Sequence, residues 1–186
     1  MTVPNFITLA RLITVPLIVW LMIDDRFTEA TVLFVLAGIS DAADGFIAKR
    51  FGSGSELGAY LDPIADKALL VSVFVTLGLK GALPAWLIVL AVSRDFFIIG
   101  AMLLAYILSN PMPVRPLLVS KVNTTAQIVL IAFVLVDRSA EIGLDILIWI
   151  AVLGVAALTV VSAGAYLIEW VRHMAGLPSE SREEGS

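Results

Sequence analysis

The sequence predicts an all-α protein, a polytopic membrane bundle of about six transmembrane helices with both termini in the cytoplasm. Sixty per cent of its 186 residues are hydrophobic, whereas roughly half is typical of a soluble domain. The hydrophobic residues fall into six runs, each close to the ~20 residues that a spanning helix needs. Length and composition together therefore predict a single helical domain within a lipid bilayer.

The six apolar runs define the expected helices, which cover residues 6–23, 30–50, 58–79, 83–108, 117–136 and 143–171. Turn-forming residues separate the runs, among them Gly52 and Gly54, Gly81 and Pro84, and three prolines between 110 and 116. Because these connections are short, we expect consecutive helices to run antiparallel. Residues 1–174 would then form one membrane domain, followed by a polar, disordered cytoplasmic tail over 175–186.

The basic residues predict the orientation of this domain. Six spans place both termini on one side, which collects Lys49, Arg50, Arg115, Lys121, Arg172 and Arg182. Only Arg26, Lys80 and Arg138 fall on the opposite side. By the positive-inside rule both termini are cytoplasmic, so we expect an integral protein of a bacterial inner membrane whose functional site faces the cytoplasm. No basic stripe suggests binding of nucleic acid.

Four aspartates interrupt the second and third apolar runs. Asp41 and Asp44 are three residues apart and Asp62 and Asp66 are four apart, so each pair shares one face of its helix. An ionised side chain inside a membrane helix costs about 2.5–3.5 kcal/mol on insertion scales, so it is a candidate for function by default. Four neighbouring carboxylates repel one another unless cations neutralise them. The pattern predicts a divalent metal site, and oxygen ligands favour Mg²⁺, then Mn²⁺ or Ca²⁺.

Other interpretations of the aspartates are possible from the residues alone. They could form ion pairs with Lys49, Lys67 or Arg94, or cap helix ends at the membrane surface. An ion or metal transporter would also keep carboxylates inside membrane helices, but its site usually lies near the midplane between repeats. Here the acids are expected near one interface, and no repeat is present. A noncatalytic membrane scaffold gives no reason for such an array.

One stretch, SDAADGFIAKRFGSGSELGAYLDPIADK, resembles the signature of the CDP-alcohol phosphatidyltransferases, membrane enzymes that make phospholipids from CDP-linked donors. The signature positions fall on Asp41, Asp44, Gly45, Ala48, Gly58, Asp62 and Asp66. Lys49 stands where the family usually has arginine, and a lysine lacks the planar fork that binds phosphate in bidentate fashion.

Three further segments, VPNFITLARL, SRDFFIIGA and SKVNTTAQ, extend the resemblance over nearly the whole membrane portion. Within the family they look most like the CMP-forming cardiolipin synthases and next like the phosphatidylglycerophosphate synthases. In the latter we expect another arginine where Met102 stands.

The resemblance implies an enzyme of phospholipid synthesis. It would transfer a phosphatidyl group from CDP-diacylglycerol to a hydroxyl of phosphatidylglycerol, giving cardiolipin and CMP; glycerol 3-phosphate is the alternative acceptor. The four aspartates would hold two Mg²⁺ or Mn²⁺ ions, and Asp66 would also act as the general base. Family members are expected to form homodimers.

The resemblance also implies which residues bind the two substrates. The CDP-linked donor would lie against Gly45, Ala48, Lys49, Gly58, Asn5, Thr8 and Arg11. An acceptor phosphate would be bound by Arg94, Arg115 and Lys121. We expect Arg94 to be the most important of these three, because it is buried and its neighbour Asp95 points to a different face of the helix.

Overall fold

In the computed structural model the chain forms six α-helices. The structure describes residues 3–51, 56–107 and 118–174, and this part contains no strand. Side chains are described for residues 12–40, 65–101, 104, 107 and 118–172. The helices are α1 (Val3–Ile23), α2 (Phe27–Phe51), α3 (Glu56–Leu79), α4 (Ala85–Ile107), α5 (Leu118–Ala140) and α6 (Asp145–Met174).

The predicted all-helical class is confirmed, and the predicted helix ends lie close to the observed ones. The largest difference is at the end of α5, which continues past Val136 to Ala140. The added residues include Asp137 and Arg138, whose charges ended the apolar run in the sequence without ending the helix. A helix that leaves the apolar layer can continue as long as its backbone hydrogen bonds persist.

The described surface is apolar where that of a soluble protein would be polar. Large hydrophobic side chains are exposed on every helix, for example Ile146, Ile150 and Leu153 on α6. Polar side chains such as Asn123 and Thr159 are instead fully buried. Such a distribution matches a lipid environment, in which hydrocarbon covers the apolar faces and polar groups pair internally.

Two helices have the length and hydropathy of membrane spans within the described residues. They are α5, with a mean hydropathy of 1.7, and α6 over Asp145–Arg172, with 2.6. Shorter apolar segments cover Leu12–Ile23 and Phe27–Ser40. The fold is therefore consistent with the predicted membrane bundle of helices.

By backbone contacts the chain divides into two compact units. The first, unit 1, comprises Met1–Ala85 and Ile128–Ile148, so it holds α1, α2, α3 and the second half of α5. In it α1 packs against both α2 and α3. Its core includes Ile18 and Met22 of α1 with Val73 and Leu77 of α3, all fully buried.

Polar contacts tie the helix ends of unit 1 together. Lys80, after α3, donates from Nζ to the carbonyl oxygen of Ile23 at 2.9 Å and pairs with Asp25 at 2.6 Å. The Thr31 hydroxyl of α2 lies 3.1 Å from the carbonyl oxygen of Leu135 of α5.

Arg26, in the turn after α1, donates a hydrogen bond to Glu29. This hydrogen bond raises the pKa of Arg26.

The second unit, unit 2, comprises Trp86–Gln127 and Trp149–Ser186. It therefore holds α4, the first half of α5 and most of α6. Leu87, Ala91, Val152 and Val155 are buried there. The indole of Trp170 on α6 donates to the carbonyl oxygen of Ala101 on α4 at 3.2 Å. Unit 2 also contains the most strongly buried polar side chains of the described chain, which are considered next.

Candidate active site

The four predicted metal-binding aspartates lie on two consecutive helices, Asp41 and Asp44 on α2 and Asp62 and Asp66 on α3. Four residues, 52–55, separate the end of α2 from the start of α3. At roughly 1.5 Å per helical residue, Asp41 and Asp66 are each about 15 Å from the helix end nearest to those four residues. Asp44 and Asp62 are each about 10 Å from it. The two pairs are thus matched in height along their helices.

Among these aspartates, only Asp66 has a described side chain. It is half-buried and lies on a segment of α3 that also carries the buried residues Ala65, Leu69 and Leu70. The side chains of Asp41, Asp44 and Asp62 lie outside the described residues. No cluster of three or more metal-binding side chains occurs among those that are described, so convergence of the four carboxylates stays a prediction.

For the predicted donor-binding residues the structure describes the backbone only. Gly45, Ala48 and Lys49 lie in α2, and Gly58 lies in α3. Asn5, Thr8 and Arg11 lie in the first turns of α1, the helix that packs against both α2 and α3. All of these residues are in helices, as expected, and their side chains lie outside the described part.

Arg94 is the best-defined of the predicted acceptor residues. It lies on α4 and is only 5% exposed. Its Nη1 donates to Oδ1 of Asp95 at 2.9 Å. Its Nη2 donates to Oγ of Ser120 on α5 at 2.7 Å and to Oγ of Ser162 on α6. Since all three helices of unit 2 hold its guanidinium group, the position of Arg94 is fixed by the packing of the whole unit.

The structure corrects one expectation about Asp95, which was predicted to point away from Arg94. The two residues form a buried ion pair, and Asp95 is 8% exposed. Neighbouring Cα–Cβ bonds do diverge on a helix, but the long, flexible arginine side chain reaches back along it. The positive charge of Arg94 is therefore compensated within the protein.

A second buried contact connects α5 with α6. The Thr159 hydroxyl lies 3.0 Å from Oδ1 of Asn123 and 2.7 Å from the carbonyl oxygen of Val155. This contact and those of Arg94 give unit 2 two groups of buried polar contacts, which involve α4, α5 and α6. We call their six residues the Arg94 cluster: Arg94, Asp95, Ser120, Asn123, Thr159 and Ser162.

Three buried donor atoms in unit 2 have no partner within the described chain. They are Nε of Arg94, Nδ2 of Asn123 and Nε2 of Gln127, which follows Asn123 by one turn of α5. Asn123 is fully buried and Gln127 is 3% exposed. A buried donor without a partner costs about 1–3 kcal/mol. Sequence reasoning did not single out Asn123 or Gln127; the signal was the spacing of polar residues 120, 123 and 127 on one face of an apolar helix.

The other two predicted acceptor residues differ from Arg94. Lys121 is exposed, although it neighbours the buried positions of α5. Arg115 lies outside the described residues. Among the three cations, only Arg94 is therefore observed within a buried polar cluster.

Comparison with known protein families covers most of the chain. The sequence model of the CDP-alcohol phosphatidyltransferases matches residues 1–168. The chain belongs to the CDP-alcohol phosphatidyltransferase family. The match includes all the described helices except the last residues of α6. It therefore covers both the aspartate-bearing helices and the Arg94 cluster.

Individual relatives within the CDP-alcohol phosphatidyltransferases carry two kinds of name. "Probable cardiolipin synthase (CMP-forming)" of Drosophila melanogaster is 36% identical over 69% of this chain and 45% of the relative. "Cardiolipin synthase (CMP-forming)" of Homo sapiens is 33% identical over 70% of this chain and 49% of the relative. "CDP-diacylglycerol--glycerol-3-phosphate 3-phosphatidyltransferase 1, chloroplastic" of Oryza sativa is 29% identical over 91% of this chain and 57% of the relative. The chain spans about half the length of these relatives.

Proposed function

We propose that this chain is the membrane domain of an enzyme that transfers a phosphatidyl group from CDP-diacylglycerol to phosphatidylglycerol, producing cardiolipin and CMP. The observation that carries this proposal is the presence of the four aspartates of the signature-like stretch at matching heights on α2 and α3, in a chain that the family model matches over residues 1–168. Support for the acceptor comes from the names of the first two relatives above. Glycerol 3-phosphate is the second candidate acceptor, because the rice relative aligns with 91% of the chain.

The family generally uses divalent metal ions, and the residues of this chain fit that chemistry. The candidate ligands Asp41, Asp44, Asp62 and Asp66 are all carboxylates, the chain has no cysteine, and its one histidine, His173, lies near the end of α6. Hard oxygen ligands suit Mg²⁺ or Mn²⁺, and we propose that the four aspartates hold two such ions. When bound, these ions would neutralise the donor diphosphate and make CMP a better leaving group.

Asp66 is the proposed general base. Its carboxylate accepts the proton of the acceptor hydroxyl, whose oxygen attacks the phosphorus that bears diacylglycerol. The bond from this phosphorus to the oxygen of CMP breaks, and CMP leaves with that oxygen. Packing of α3 against α1 fixes the height of Asp66 in unit 1, which favours a constant geometry for the proton transfer.

Small residues on α2 and α3 suit the donor. Gly45, Ala48 and Gly58 carry little or no side chain, so a nucleotide can approach the helix backbones closely. Lys49 supplies a cation for the phosphates, and Asn5, Thr8 and Arg11 of α1 are the proposed additional donor contacts. Arg94, Arg115 and Lys121 are the proposed acceptor contacts.

The proposed setting is a lipid bilayer, since both the donor and the product are lipids. We propose that residues 1–174 form the membrane domain and residues 175–186 a cytoplasmic tail. The donor site would face the cytoplasm of a bacterial inner membrane, and the enzyme would act as a homodimer.

The test is CMP release by the purified protein in detergent, with CDP-diacylglycerol, Mg²⁺ or Mn²⁺, and one acceptor at a time. We expect release with phosphatidylglycerol and a loss on the order of 10²–10⁴-fold in Asp66→Asn, because general acid–base catalysis contributes about that much. Asp24→Asn is the matched control, since Asp24 is an exposed aspartate in the turn after α1. Release with glycerol 3-phosphate alone would instead establish the second candidate, and equal rates for Asp66→Asn and Asp24→Asn would exclude the mechanism.

A further inference from the structure

Helix α5 has two faces of different character within unit 2. Asn123 and Gln127 lie on one face, and both are buried. The opposite face carries Lys121, Val122 and Thr125, which are all exposed. Because hydrocarbon covers the exposed faces of a membrane helix, Lys121 is directed at the bilayer.

The position of Lys121 along α5 brings its charge to the edge of the apolar layer. Residues 122–136 are uncharged, and Asp137 follows them. About 24 Å of helix separates Lys121 from Asp137, against about 30 Å for the hydrocarbon core of a typical bilayer. Asp137 lies at the turn to α6, where its carboxylate accepts hydrogen bonds from two backbone amides. The Lys121 side chain must therefore extend along lipid toward the membrane surface, as lysines near helix ends do.

The described residues supply no counter-charge for Lys121. None of the ion pairs observed among them involves this lysine, and no acidic residue lies within one turn of it on α5. An ammonium group without a counter-charge is costly at the hydrocarbon boundary. Lipid phosphates carry negative charge at this depth, so charge complementarity favours a lipid phosphate as the partner of Lys121.

We propose that Lys121, together with the exposed side chains of Val122 and Thr125, binds an anionic phospholipid from the surrounding bilayer. The ammonium group pairs with the phosphate, and an acyl chain lies along Val122 and Thr125 toward the middle of the membrane. The Thr125 hydroxyl donates to the carbonyl oxygen of Lys121 at 3.0 Å, so it needs no partner from the lipid. This inference goes beyond the proposed function, because binding requires neither the four aspartates nor turnover.

Charge distinguishes among the possible occupants of this face. In a zwitterionic lipid the headgroup carries its own cation, which competes with Lys121 for the phosphate. An anionic lipid has no such cation, so its phosphate pairs with the lysine. A second copy of the chain, bound through the same face about a twofold axis, would bring two Lys121 side chains together, and like charges repel each other.

Lipid binding can be measured without CDP-diacylglycerol. Purified protein in detergent is mixed with equal amounts of phosphatidylglycerol and phosphatidylethanolamine that have identical acyl chains, and native mass spectrometry counts the bound molecules of each. We expect the wild type to prefer phosphatidylglycerol. Lys121→Gln should reduce this preference about fivefold, the effect of one cation near a membrane surface. Lys121→Arg should keep the preference, because arginine also binds phosphate.

Arg26→Gln is the matched control. It removes one positive charge, as Lys121→Gln does, but from an exposed cation that is paired with Glu29. We expect this variant to keep the preference of the wild type for phosphatidylglycerol.

The outcomes are distinct. Equal binding of the two lipids by the wild type, or an unchanged preference in Lys121→Gln, would overturn the inference. Equal losses in Lys121→Gln and Arg26→Gln would show an effect of net charge alone and would also overturn it. A changed oligomeric state of Lys121→Gln with the same lipid preference would assign this face to contact between copies instead. Absence of CMP release would reject the proposed function only, since no turnover enters this measurement.

Discussion

Arg94 and Asp95 are neighbours in the sequence and form an ion pair at 2.9 Å in the interior of unit 2. Both residues are less than a tenth exposed. Ser120 and Ser162 complete the hydrogen bonds of the guanidinium group from two other helices. The pair therefore joins electrostatics to helix packing, and its removal should affect both.

Replacing only one partner of this ion pair should strongly destabilise the protein. In Arg94→Met, the carboxylate of Asp95 loses its buried counter-charge, which typically costs about 3–5 kcal/mol. The double variant Arg94→Met/Asp95→Leu should recover much of this loss, because no isolated charge remains. Denaturant titration in detergent measures the free energies of unfolding. Arg26→Gln, in an ion pair whose side chains are each 47% exposed, should change stability far less, because solvent screens an exposed ion pair.

The two serines should act non-additively. Each accepts a hydrogen bond from Nη2 of Arg94, so one remains when the other is changed. Ser120→Ala and Ser162→Ala should each cost about 0.5–1.5 kcal/mol. The double variant should cost more than the two single costs added together, since it strands a buried charged donor. A strictly additive result in thermal unfolding would show that the serines do not share this donor.

The connection between α5 and α6 depends on one carboxylate. Oδ1 of Asp137 accepts hydrogen bonds from the backbone amides of Gly143 and Leu144 at 2.9 and 2.8 Å. Asp137→Ala should lower the free energy of unfolding by about 1–2 kcal/mol, as the loss of a capping side chain does. Asp137→Asn keeps the accepting oxygen and should lose clearly less. Equal losses in the two variants would mean that the charge, not the acceptor, is what matters.

Removal of divalent metal should abolish the proposed activity. After treatment with a chelator, CMP release should fall to background, and Mg²⁺ or Mn²⁺ should restore it because both prefer oxygen ligands. In Asp66→Asn, the same additions should restore little. Full activity in excess chelator would contradict the proposed role of the four aspartates.

The sequence predicted the helices well because the physical signals were strong. Long apolar runs separated by glycine, proline and charged residues leave few alternatives for a chain in a membrane. It did not predict the pairing of Arg94 with Asp95, because helical periodicity describes Cα–Cβ directions and not the reach of a flexible side chain. Asn123 and Gln127 were missed for a related reason: their burial depends on how α4 and α6 pack around α5. For Asp41, Asp44 and Asp62, the expected convergence stays a prediction.

The length of α6 gives this site a dependence on its surroundings. The uncharged stretch of α6, from Ile146 to Ile168, is about 35 Å long, against about 30 Å for the hydrocarbon core of a typical bilayer. Such an excess is accommodated by tilting, kinking or local thickening of the bilayer. Because α6 carries Thr159 and Ser162, we expect a change in its tilt to alter their hydrogen bonds with Asn123 and Arg94. The geometry of the Arg94 cluster should then depend on the acyl-chain length of the surrounding lipids.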